Sequence, residues 1–175
     1  MKFFSDIRLL ILAIWLGAAV FFIGVAMSAF AVVPERELAG AVVNRTLSIL
    51  NFGGLGIAIV LILTSLVGGS GVNKFWLWVE RFLILLLAAC CAVGQFVIGL
   101  WLAAVRAQIG RPIDEVAADD PLRVQFNMLH EYSTWVLFVA MGAALVAFFI
   151  IANRKFGLTA AKKADVYDFS KEFKT

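Results

Sequence analysis

A chain of 175 residues with 63% hydrophobic residues, 15% charged residues and a mean hydropathy of +0.97 is too apolar for a soluble domain, where apolar usage is close to half. It is an integral membrane protein, with the lipid bilayer as its surroundings. The net charge of +3 does not indicate nucleic acid as a partner, because the basic residues collect outside the apolar runs and no zinc-finger, phosphate-loop or dinucleotide spacing occurs.

The first apolar run, 9–33, contains a single polar residue, Ser28. At 1.5 Å per residue it reaches about 37 Å, enough to cross a hydrocarbon core of about 30 Å. Its length and the Pro-Glu-Arg-Glu that follows indicate a retained helix and not a cleaved signal. Gly17 and Gly24 share a face, and Gly24 with Ser28 forms a small-xxx-small pair that lets another helix approach closely. Pro34 ends this helix and can start the next, with Glu35 and Glu37 near its positive N-terminus.

The second run, 47–67, is preceded by Arg45 and stops at Gly68-Gly69-Ser70-Gly71. Asn44, Ser48 and Asn51 follow helical spacing and form a polar stripe that either lines a site or supplies interhelical hydrogen bonds. Residues 73–81, with Lys74, Trp76, Trp78, Glu80 and Arg81, have the aromatic and charged mixture of a bilayer surface. The third run, 82–105, carries Gln95 near its middle, where an amide needs a partner on a neighbouring helix. Cys90 and Cys91 are adjacent, form no ordinary mutual disulfide and read as small apolar fillers.

Residues 106–121 form a polar loop broken by Gly110, Pro112 and Pro121; its acids do not match a calcium loop. The fourth run, 132–152, is entered through polar turns at 123–133. The expected architecture is thus an all-α integral membrane bundle of four transmembrane helices over residues 1–155, followed by a basic tail, 156–175. In that tail Val166, Phe169 and Phe173 fit either a surface-lying amphipathic helix or a disordered segment.

Four spans put both termini on one side. That side, with the second loop, holds ten of the fifteen Lys and Arg residues, including every lysine. The positive-inside rule makes the termini cytoplasmic. This topology gathers Asn44, Arg45, Ser48, Asn51, Arg106, His130, Glu131 and Ser133 toward the opposite face, with Glu131 a candidate partner for Arg45 or Arg106. The cluster is either a site or an interfacial network that fixes helix packing.

His130 is the only histidine. A neutral imidazole is a good axial ligand, so His130 is the candidate cofactor-binding residue, for a chlorophyll-type pigment or a haem shared with another subunit. Bis-histidine haem cannot be built within one chain. A zinc site would need thiolate or carboxylate help, and Cys90 and Cys91 are expected in the opposite half of the bilayer. No set of metal ligands and no catalytic residue is assigned, and no nucleophile pairs with His130 by a known motif.

The strings Ile14-Trp15-Leu16-Gly17, Phe21-Phe22 and Val33-Pro34-Glu35-Arg36-Glu37-Leu38-Ala39-Gly40-Ala41-Val42-Val43, with Arg106-Ala107-Gln108-Ile109-Gly110 and Phe126-Asn127-Met128-Leu129-His130-Glu131-Tyr132-Ser133, resemble a bacterial four-helix membrane family of unknown function. That family is related to a eukaryotic transmembrane protein associated with cisplatin resistance. The resemblance covers roughly residues 10–150 and implies the four-helix fold and a bacterial inner membrane. The broader group includes copper-resistance membrane proteins and a haem-associated protoporphyrinogen oxidase, which implies by analogy a metal or tetrapyrrole link; this chain lacks the additional histidines of such relatives.

The leading functional expectation is a non-catalytic accessory or scaffold subunit that associates with other membrane protein subunits through small-residue and aromatic faces. A metal or tetrapyrrole binder using His130 is the alternative. A small transporter comes third, since no acidic residue is expected deep in a span to carry proton coupling.

Overall fold

The computed structural model describes residues 2–67 and 73–153; the basic tail, read as either a surface-lying helix or a disordered segment, falls outside them. Four long helices dominate: Lys2–Val32, Arg36–Val67, Lys74–Ile109 and Pro121–Ala152, called the first to fourth helix below. All four are long and apolar enough to cross a membrane. The expected spans sit largely inside these helices, which run further at most ends because polar residues next to an apolar run continue the helix into the headgroup region.

The helix ends follow from local chemistry. The Asn73 side chain accepts from Phe75 N at 3.0 Å and starts the third helix. Asp120 does the same for the fourth, accepting from Leu122 N at 2.8 Å, and Pro121 takes the first helical position. Helix four therefore begins at Pro121, where the sequence suggested irregular turns up to Ser133. The third helix ends on Gly110, whose φ of 64° is the left-handed conformation that glycine adopts without cost.

Each helix buries one stripe. Ser5, Arg8, Leu12, Trp15, Ala19 and Phe22 are the buried positions of the first helix, spaced three or four apart. Glu80, Ile84, Leu87 and Cys91 continue that pattern in the third, and Ala140, Ala144, Ala147 and Ile151 in the fourth. These stripes meet in one core cluster, while Ile98 and Val105 join Leu129 in a smaller one near the start of the fourth helix. Arg8, at the start of the first helix, reaches Leu61 near the end of the second and Glu80 near the start of the third. The helices therefore alternate up and down.

The third helix has one irregularity, a π turn at Val93–Ile98, closed by Gly99 N–H donating to the Gly94 carbonyl. Gln95 lies in this turn, half-buried, and its side chain makes no hydrogen bond among the described residues, contrary to the expected partner on a neighbouring helix.

Candidate functional site

The most highly charged part of the interior lies where the first helix begins. Arg8 Nη2 donates to Glu80 Oε1 and to the Leu61 carbonyl, the latter at 3.0 Å. The Arg8 side chain is 5% exposed and that of Glu80 0%. Beside them, Arg81 donates from Nε to Ser65 Oγ at 3.1 Å and from Nη2 to the Ser65 carbonyl at 2.9 Å. The pair joins three helices, and Ser5 is buried next to it on the face of Arg8. Charges removed from water persist only when paired and hydrogen-bonded, so the pairing of Arg8 with Glu80 constrains how the three helices meet at this end, alongside the buried Leu12, Leu61 and Ile84.

Sequence reasoning missed this group. Lys74, Trp76, Trp78, Glu80 and Arg81 together looked like a bilayer surface, yet the structure turns Glu80 fully inward. The signal was helical phase: Glu80 leads Ile84, Leu87 and Cys91 on one face. What is corrected is the reading of 73–81 as bilayer surface throughout; Glu80 lies six residues into the third helix and not deep in a span, as expected of the acids.

Further along, the bundle narrows at Trp15. Its indole Nε1 donates to the Leu50 carbonyl at 3.1 Å. A Cβ on Gly54 would stand 2.5 Å from Cys91 Sγ and 2.8 Å from Trp15 Nε1, so three helices meet here at a distance only glycine permits. Next to this waist, Leu47, Asn51, Cys90, Gly94, Ser133 and Ala140 are among the residues lining a void of about 10 Å³.

The residues expected to cluster are dispersed. Asn51 is buried and Ser133 half-buried at the void, while Asn44 and Arg45 are exposed and Ser48 half-buried along the second helix. Arg106 faces Glu37 at 3.7 Å, with its guanidinium against Gly40, where a Cβ would stand 3.4 Å from Nη2. Glu131 is exposed and ion-paired with neither Arg45 nor Arg106. The earlier start of the fourth helix accounts for part of this dispersal. Ser133 lies twelve residues in, about 18 Å from the helix start, so it sits at the level of Cys90, where opposite halves of the bilayer were expected.

His130 is exposed, and its side chain makes no hydrogen bond among the described residues; its backbone carbonyl accepts from Thr134 Oγ1 at 3.1 Å. Among the described residues, no three His, Cys, Asp or Glu side chains are grouped to hold a metal ion. Chemically, the arrangement offers a buried ion pair, a tight waist and a small polar void.

Four antiparallel apolar helices around such an interior define a multi-pass all-α membrane protein. Residues 10–111 match the model of a domain of unknown function, DUF4149, and the chain belongs to that family. The match begins inside the first helix, runs through the third and stops before the Phe126–Ser133 segment, so Arg8 and His130 both lie outside it. No curated protein and no solved structure matches the chain.

Proposed function

We propose that the protein is a non-catalytic accessory subunit, with its termini on the cytoplasmic side, that works by lateral association with another membrane protein. The observation that carries this reading is the outward face of the first helix. Gly17, Gly24 and Ser28 are all exposed, and nothing lies within 4 Å of where a Cβ would stand on either glycine. Their smallness serves no packing inside the chain. In lipid, close backbone approach is a main source of helix association, so a small-residue face turned outward suits a partner helix. The orientation rests on the ten-to-five distribution of Lys and Arg.

Leucine at Gly17 and at Gly24 tests the reading in a gentle-detergent pull-down from native membranes. The wild type is expected to retain a stoichiometric membrane partner, and the double variant to lose it at unchanged thermal stability. A wild type that purifies alone as a monodisperse species defeats the proposal.

A second reading is favoured by the exposed imidazole. His130 lies nine residues into a 32-residue helix, about 13 Å from its start, where the helix reaches hydrocarbon depth. An exposed imidazole without a hydrogen bond among the described residues supports a reading in which it shares a metal or tetrapyrrole with a second subunit. The visible spectrum and metal content of the same pull-down test it, with His130→Ala as the control; bound pigment or metal unchanged in that variant removes the role.

A further inference from the structure

We propose that the void between the second, third and fourth helices is a binding site for one water molecule, held between the Asn51 carboxamide and the Ser133 hydroxyl. Three observations meet there. First, the size fits: the void is about 10 Å³, and a water needs roughly 10–15 Å³ of such space together with two to four polar partners. Second, two polar side chains from different helices line it without partners. Asn51 is 6% exposed, and neither its amide nor the Ser133 hydroxyl makes a hydrogen bond with any described residue, nor do they bond each other. An amide so buried in an apolar bundle is costly to leave unsatisfied. A water answers both groups at once, since it donates and accepts, and so do the carboxamide and the hydroxyl.

Third, the opposite wall is built to leave the space open. It includes the start of the π turn, where the regular helical ladder is loosened and polar groups or water can insert. Gly94 in that turn lines the void, and a Cβ there would approach Asn51 Nδ2 to 3.3 Å. Glycine therefore keeps the room that the water takes. Cys90 completes the lining with a thiol, a weak donor. The rest of the lining, with Leu47 and Ala140, is apolar.

The test uses the full chain in lipid bilayers with 15N-labelled asparagine, observed by proton-detected solid-state NMR with magnetisation transferred from water. Asn51→Leu assigns the Asn51 side-chain signal by its loss. The wild-type Asn51 amide is expected to receive water magnetisation although it is buried. Gly94→Ala fills the space and is expected to reduce that transfer at least tenfold. Ser133→Val removes one partner without touching the π turn and is expected to reduce it several-fold, which keeps the test decisive where Gly94→Ala fails to fold. An Asn51 amide silent to water while exposed Asn44 responds overturns the proposal, as does transfer unchanged by Ser133→Val.

Discussion

At one end of the bundle Arg8 meets Glu80 with almost no solvent exposure, braced by the Leu61 carbonyl. At the other, Arg106 stands 3.7 Å from Glu37 and Arg36 stands 3.4 Å from Asp114, with all four side chains between 36% and 72% exposed. The groups are the same, a guanidinium and a carboxylate, and the surroundings decide what they do. In water the attraction is screened and a pair of this kind contributes about 0–1 kcal/mol. Inside the bundle the gain from pairing is offset by desolvation, yet losing one partner strands the other charge at a cost of about 3–5 kcal/mol. The buried end is thus locked and the exposed end adjustable.

Substitutions should separate the two ends by several-fold in stability lost. Arg8→Met, which leaves the Glu80 carboxylate buried without its guanidinium, is expected to lower stability by about 3–5 kcal/mol, read as a large fall in Tm in detergent. The double variant Arg8→Met with Glu80→Met should recover most of that loss; a double variant as unstable as the sum of the singles would show that the two residues do not act as a pair. At the waist, Gly54→Ala forces a methyl against Cys91 and Trp15 and is expected to cost about 1–3 kcal/mol. Pairing it with Cys91→Ala, which vacates the nearest atom, should return part of the loss. Smallest of all, Glu37→Gln and Asp114→Asn at the exposed end should each shift stability by under about 1 kcal/mol, and raised salt should erase the difference. A large loss from Glu37→Gln would make the two ends alike.

The four spans and their alternation were legible because apolar runs of this length leave few alternatives in a bilayer. Local composition was less dependable. Glu80 sits among Lys74, Trp76 and Trp78, neighbours typical of a membrane surface, and only its phase relative to Ile84 and Leu87 shows that it turns inward. The stripe Asn44, Ser48, Asn51 was expected to face other helices or a cavity, and its members differ: Asn44 is exposed, Ser48 half-buried, and Asn51 alone of the three is fully buried. His130 and Ser133 were placed together near one membrane face because the start of the fourth helix was read about ten residues late. Asp120 and Pro121 are the cap and first-turn residues that mark the true start. The π turn was not anticipated, since residue order carries no established signature for it.

The waist has a spectroscopic consequence. Trp15 is 2% exposed and tied to the Leu50 carbonyl, whereas Trp76, Trp78, Trp101 and Trp135 are each at least half exposed on the outer surface. Brominated lipid acyl chains quench indoles that they can touch. In such a bilayer the four outer tryptophans should darken and the one inside should go on emitting. That residual emission reads the closure of the bundle directly, and it should vanish whenever lipid gains access to the space between the first and second helices.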